Sequence, residues 1–568
     1  MRNDLLVKKK FGEFFIPTIL MAASASLSII VDSVIVGNIL GESELAAVNL
    51  IMPMSLCFTA ISAMFGIGSS TCISMFKGRM DSKNANRFIT LSFAAWMFFS
   101  IITVVLGFTL SAPMASFLSG DSGLHEYVHD YLKIYLIGSP FTFATLIFPH
   151  IIKADGQPKL SSKSLIIANV SNLVLDVVYM ELLHLEITGA ALATITGNAI
   201  GAIIYITYIC SRKRTLGFIK VTFSDLKLYG DMFKMSISSI FGQGLMFAKM
   251  WIFNMIISGT AGQAGLTAFS VCTSCLSFVS MFISGGAQTM IPMVGAFEGA
   301  KDNTAIRFTV RKAFAVVIGC CAVITVLFEL FPDVVMSLYG IDDSAVIEMG
   351  RVAIRLFALS FVFTGFTFMF MYYAQAKRMP VFSMQICALD GFVIIVPAGL
   401  LLAWLCGSNG IWLSYIVNGI LVSLFIVLRS KHTVKRSNGS LYSLFMLKKP
   451  SDDAIEFSVD ISDDDKIKEA IGIITERVGN DAEDIVGYMF ELSKNAYIRK
   501  TGLKKGDTVD VIFDSGKLSF KDIGADYRLL EDNSCTEKIK KLNSTYENTL
   551  MIGINYSTVI LEKREVNI

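Results

Sequence analysis

A few polar side chains stand inside apolar runs long enough to cross a bilayer, and any chemistry in this chain centres on them. Asp32 lies in FFIPTILMAASASLSIIVDSVIVGN, residues 14–38. A lone carboxylate in lipid costs about 2.5–3.5 kcal/mol or more, a cost that folding alone does not require. Asn172 and Asp176 lie in NVSNLVLDVVYM, four residues apart and so on one helix face. Thr194 and Thr196 lie in GAALATITGN. Two carboxylates with amide and hydroxyl oxygens suit a proton or a hard cation such as Na+. Two opposite charges stand elsewhere, Lys249 in LMFAKMWIF and Asp390 in QICALDGFV. They suit an ion pair across a cavity, or else a lysine snorkelling along a wall and an aspartate near its helix end.

The elements that carry these residues are apolar. The chain is 53% hydrophobic and 17% charged, against about 25% charged in soluble domains, and its mean hydropathy is +0.60. This is a polytopic membrane protein. The net charge of +2 gives no nucleic-acid footprint. The ten cysteines sit mostly in apolar runs, and Cys272-x-x-Cys275 has no His or acidic partner; no metal or disulfide framework is expected. Twelve runs can be counted: 11–40, 45–76, 88–118, 127–152, 164–183, 189–210, 232–257, 266–297, 308–338, 352–373, 381–405 and 411–428. Lys and Arg crowd alternate loops, such as Lys77 and Arg79, Arg212 to Arg214, and Arg429 with Lys431. The opposite loops, such as GESELAA and CGSNG, carry none. That alternation predicts both termini in the cytoplasm.

The chain also repeats. FKGRMDSK at 76–83 matches FEGAKDN at 297–303, pairing Gly78 with Gly299 and Asp81 with Asp302 at an offset of 221. Leu118 and Gly120 pair less regularly with Leu338 and Gly340, and Pro158 with Pro380. Six runs per half give both halves one orientation, related by a pseudo-twofold along the membrane normal around a central cavity. The halves differ at the acids: 221 residues after Asp32 stands Phe253. The expected organisation is a first six-helix lobe at 1–211, a linker at 212–230, a second lobe at 231–430, a linker at 431–451 and a soluble α/β domain at 452–568. In that domain strands are expected at 454–459, 508–513, 517–521 and within 549–561. Helices are expected at 461–478 and 482–499, capped by Ser462 and Asp481.

DSVIVGNILGESELAAVNL, the GRMD and GAKD loops, DGQPK and the N-x-x-x-D of the fifth run resemble the multidrug and toxic compound extrusion (MATE) family, over roughly residues 11–428. The resemblance implies an all-α fold of twelve transmembrane helices. It implies an H+- or Na+-coupled antiporter that exports small, amphipathic organic compounds by alternating access at the plasma membrane. Asp32, Asn172, Asp176 and Thr194 would form the cation site. The protein would not be an enzyme and would need no cofactor beyond its coupling ion. The seventh run departs from members with an acid there, carrying Lys249, and a cavity-facing lysine disfavours strongly cationic substrates. A flippase-like exporter of a lipid-linked or bulky substrate, or a membrane-anchored sensor with the soluble domain as output, are the alternatives. No GxxxxGK[ST] loop supports an ATP-driven pump.

In the soluble domain, Glu491-Leu-Ser-Lys-Asn495, Asp522-Ile-Gly524-Ala-Asp526 and the closing LMIGINYSTVILEK resemble the histidine-kinase-like ATPase fold of anti-sigma kinases. The resemblance implies a nucleotide site of Glu491, Asn495, Asp522 and Gly524, with Asn495 toward Mg2+ and Asp522 toward adenine. Asp526 stands where a second glycine is expected, and no Gly-rich lid follows. Without those amides the phosphates lack a cradle. ATP and Mg2+ are therefore not expected to bind, and a degenerate module for a cytoplasmic regulatory protein is expected instead.

Overall fold

The computed structural model describes residues 2–561 apart from 121–122, 339–343, 450, 452–453, 480–481 and 528–533. The apolar runs become helices. Among the described residues nine are long and apolar enough to cross a membrane, or up to eleven when each bent pair is one span. The first bent pair, His125–Ile137 and Ser139–Ala154, turns by 55°, at a Gly138 that is followed by Pro140 in the new first turn. The second, Val346–Leu359 and Phe361–Ala376, turns by 40°. The longest helix, Leu228–Gly299, has 72 residues, about 108 Å at 1.5 Å per residue. It is two helices in series: Gly262 takes φ 60° and ψ −151°, which breaks the helical path. The expected GTAGQAG loop is reduced to that residue. The first helix, Leu5–Ile39, runs 35 residues through Pro17, longer than the roughly 20 residues a bilayer needs.

The buried core divides in two. One cluster runs from Val36 to Met235. The other joins Leu6 to Phe15 of the first helix with residues from Phe253 onward and with the C-terminal sheet domain, the one expected to be soluble. The halves meet at glycines at the end that carries this domain. A Cβ on Gly78 would lie 2.0 Å from the Ala296 carbonyl, and one on Gly299 would lie 2.1 Å from the Met75 carbonyl and 3.0 Å from Gly78 Cα. Only hydrogen fits there, so the repeat's paired glycines touch each other. Lys153 Nζ donates to Gln288 Oε1 at 2.7 Å close by, from one half to the other. The repeated loops also share a local device. Met80 and Lys301 turn left-handed at φ 62° and 59°. Asp81 and Asp302 then cap the next helices, accepting from Asn84 N at 3.0 Å and Ala305 N at 2.9 Å.

Beyond the last long helix, Ser408–Arg436, a short hairpin of β1 (Leu441–Tyr442) and β2 (Leu447–Lys448) leads to the soluble domain. Its sheet holds β3 (Ile455–Asp460), β4 (Thr508–Asp514), β5 (Lys517–Asp522), β6 (Glu547–Met551) and β7 (Ile554–Ile560). The order is β3-β4-β5-β7-β6 and every pairing is antiparallel. Helices Asp464–Val478, Glu483–Thr501 and Ser534–Leu542 accompany it. The first of these is capped by Asp463, whose carboxylate accepts from Asp465 N and Lys466 N, and not by the expected Ser462. Ser462 instead donates to Asp460 at 2.6 Å. Asp481 and Gly340 lie outside the described residues. The Ser534–Leu542 helix and the linker hairpin were not expected.

Candidate functional site

The first helix and the Pro158–Val177 helix run side by side in the same direction, joined by polar rungs. Asn169 Nδ2 donates to Ser24 Oγ at 3.2 Å and Ser28 Oγ donates to Asn172 Oδ1 at 3.5 Å. The third rung joins Asp32 and Asp176, whose carboxyls are in hydrogen-bonding contact. Residues 24, 28 and 32 are four apart, so one stripe of the first helix carries all three. Asn172 Nδ2 also donates to Asp176 Oδ2 at 3.2 Å, within one helix turn. Asp176 is 0% exposed, and its Oδ1 has no protein donor. Two ionised carboxylates have no hydrogen to share. The pair therefore needs a proton or a bound cation, and the orphaned oxygen is where one fits.

Glycine brings the sixth-run helix close. A Cβ on Gly197 would lie 2.8 Å from Asn172 Cβ, and one on Gly201 would lie 2.8 Å from Ala168 Cβ. This small-xxx-small contact presses Glu186–Cys210 against Pro158–Val177. It sets Thr194 beside the hydroxyl of Tyr131, within hydrogen-bonding reach. Tyr131 also faces Asp32 and Asp176. Sequence reading missed Tyr131 and Ser28. The signal for Tyr131 was present: a buried phenol needs a polar partner, and this one is 8% exposed. A π-helical turn, Val178–Leu182, begins two residues after Asp176, a distortion common at functional sites.

The second half differs at the matching position. Phe253 is fully buried, stacked on Phe269 at 6.3 Å and set edge-on to Tyr415 at 5.2 Å. Lys249 and Asp390 both line a cavity of about 360 Å³. They make no ion pair. Asp390 accepts from Asn418 Nδ2 at 3.0 Å, and Lys249 Nζ stands 5.8 Å from the centre of the Tyr415 ring. Asp390 sits within its own π-helical turn, Leu389–Val393. First-half residues Thr59 and Ser62 complete the wall. Asp32, Asn172 and Asp176 do not line this cavity, so the carboxyl pair and the large cavity are separate. Among the described residues no group of three or more His, Cys, Asp or Glu is gathered for a metal.

In the soluble domain the sequence-predicted nucleotide residues differ in exposure, two facing solvent and two enclosed by protein. Glu491 and Asn495 are exposed on one helix face. Asp522 is 0% exposed and is satisfied from within. It accepts from Ser493 at 3.0 Å, from Asn555 at 2.8 Å, from Gly524 N at 2.8 Å and from Tyr527. Burial still pushes its carboxyl above the usual range, against those donors. Gly524 is pressed on Ala496, where a Cβ would meet another Cβ at 2.6 Å. These contacts fill the surroundings of Asp522 with protein.

The family model MatE matches residues 17–178 and again 238–400. The two matches begin 221 residues apart, the offset of the repeated loops. The chain belongs to the MatE family. MatE is a family of transporters, and its span here covers the carboxyl pair and most of the lining of the large cavity. The chain is 23% identical over 436 residues to the multidrug export protein MepA of Staphylococcus haemolyticus, covering 76% of this chain and 96% of that one. It is 22% identical over 437 residues to MepA of Staphylococcus aureus strain MRSA252, with the same coverage. Its fold is similar to a Vibrio cholerae MATE transporter, with TM-score 0.69, 20% identity, and coverage of 77% and 98%. It is also similar to an outward-facing MATE transporter of the MOP superfamily, with TM-score 0.68, 19% identity, and coverage of 76% and 97%. The second MatE match ends at residue 400, upstream of the soluble domain.

Proposed function

We propose that this MatE protein is an H+- or Na+-coupled antiporter that exports drugs or other amphipathic organic compounds by alternating access. The observation that carries the reading is the Asp32–Asp176 contact with an orphaned Asp176 oxygen, walled by Asn172, Thr194 and Tyr131. A proton or cation arriving there satisfies the pair. Its departure leaves two facing anions that repel. That repulsion acts between the first helix and the fifth-run helix, so occupancy is converted into helix displacement. The relatives named for multidrug export support the substrate class. On this reading the bundle is twelve spans in two six-helix lobes, with both termini in the cytoplasm. The soluble domain, of the histidine-kinase-like type, acts without nucleotide as a regulatory module.

The test is efflux from vesicles carrying the purified full chain, with Na+ and proton gradients imposed separately. Dyes of both charges serve as substrates. Wild type is expected to respond to one gradient, and Asp32→Asn to neither. Wild-type transport by Asp32→Asn would sink the coupling role.

A further inference from the structure

The soluble domain lies on the bundle end where the two halves touch, and the way it is held is unequal. Its grip on the second half is deep. Phe445 of the linker hairpin sits among Phe314, Phe370 and Tyr373, with ring centres 5.4, 6.2 and 5.4 Å away. Tyr373 OH donates to the Phe445 carbonyl at 2.5 Å and Lys377 Nζ to the Met446 carbonyl at 2.7 Å. On β5, Lys521 reaches Asp302 at 2.5 Å, and Arg2, at the head of the first half, bridges Asp302 at 2.8 Å to Asp510 at 3.0 Å. The first half meets the domain through Arg2, through Asn3 N, which donates to Ser458 Oγ at 3.1 Å, and along a shallow seam. Thr558 Oγ1 meets Met80 Sδ at 3.2 Å. The tip of the β6–β7 hairpin, Ile552–Gly553, rests on Gly156, where a Cβ would lie 2.4 Å from Gly553 N. A polar cleft lined by Lys77, Asn86, Thr215, Asp526 and Asn548 separates the rest.

Two features mark this as a contact built to open. The covered sheet face is polar: Ser458, Asp510, Lys521 and Tyr556 pair across β3, β4, β5 and β7, and Ser519 pairs with Thr558 in the next row but one. Asp510, Lys521, Ser519 and Thr558 are at most 6% exposed here. The other face carries Val511, Phe520 and Val559, the domain's own core. A polar face can stand in water when uncovered, as antiparallel sheets commonly allow; an apolar one cannot. The second feature is strain. Ile552 holds φ 48°, a left-handed conformation that a β-branched residue resists, and it is fully buried. Such strain persists only when the surroundings impose it.

We infer that the soluble domain is a releasable latch, fixed to the second half and seated through Ile552–Gly553 on the first, which holds this face of the transporter shut. The inference rests on the alternating-access reading. When the halves part at Gly78 and Gly299, the seam at Gly156 must part with them. Export then waits on latch release.

The variant to make is Gly553→Asn. Gly553 is the second loop residue of a tight hairpin, at φ 72°, where asparagine is readily accepted. Its Cβ would arrive 3.0 Å from Lys10 Nζ and 3.4 Å from the Gly156 carbonyl, which wedges the seam without breaking the turn. Spin labels at the exposed Lys83 and Asn548, in a full chain whose ten cysteines are replaced, report the gap. Gradient-driven dye efflux from vesicles reports transport. The expected result is a longer label distance and several-fold faster efflux in Gly553→Asn. In the parent chain a long-distance population is expected only during turnover. A parent chain that transports with one short distance throughout would overturn the latch. So would a variant whose gap opens without any gain in efflux. A parent chain that moves no dye, yet whose labels part when Na+ or acid is added, defeats the transport reading while upholding the latch.

Discussion

At the scale of single residues, charge dominates. Asp302 is 0% exposed in its side chain and meets two cations. Burial would raise its carboxyl, yet Arg2 and Lys521 hold it far below the usual carboxylate range. Its folded value is therefore below its unfolded value of about 3.9. Its stabilising contribution is full above that value and is lost as pH falls through the folded one. The docked domain is expected to stay put from neutrality down to about pH 5 and to let go in stronger acid, as read by the Lys83–Asn548 label distance. Lys521→Met removes one of the two cations and leaves Asp302 paired with Arg2, so it should cost about 1.5–3 kcal/mol, the worth of a hydrogen bond to a charged group, measured by chemical unfolding of the full chain. Tyr131→Phe removes the hydroxyl beside Thr194 and the two acids. It is expected to shift the pH profile of transport while leaving expression unchanged. Helical periodicity made Asn172 and Asp176 legible as a pair, since their contact is local. Arg2 was not, because its partners lie 300 and 508 residues away. No local pattern encodes such a meeting. Lys249 and Asp390, for which the sequence left an ion pair and two separate placements open, share a cavity and keep separate partners: a common cavity was foreseeable, but the choice of contact was not.

At the scale of elements, alternation and turn chemistry carried the soluble domain. The hairpin across Asp514, Ser515 and Gly516 forms at the expected place, with Ser515 and Gly516 left-handed at φ 51° and 79°. The Ser534–Leu542 helix, with the polar, basic pattern SCTEKIKKL, was harder to read. In the membrane region element existence was plain and breaks were not. Gly262 interrupts one helix, and Gly138 bends another path by 55°, although many other glycines sit in unbroken helix. Two element-scale outcomes follow. Gly197→Leu should push the sixth-run helix off Asn172 and abolish coupled transport, since its Cβ would arrive 2.8 Å from the Asn172 side chain. Ile552→Asn should relieve about 1–3 kcal/mol of turn strain in the docked domain, and so shrink the long-distance label population during turnover.

At the scale of the whole molecule, the sequence repeat and the two family matches describe one architecture whose halves have been put to different uses. The first keeps the carboxyl pair; the second fills that position with Phe253 and instead carries the charged cavity wall and the fixed grip on the soluble domain. Deleting the soluble domain, from residue 450 onward, should therefore leave gradient-driven export intact and remove its restraint, read as faster efflux at equal protein content. The Gly78–Gly299 contact carries a further consequence. Equivalent residues of two copies meet only on the axis that relates them. In a dimer of identical chains, a single codon change there would add two side chains to one crowded spot. A fused chain can change one side at a time. The closure between its halves can be loosened in half-steps, a freedom of adjustment that a symmetric pair does not have.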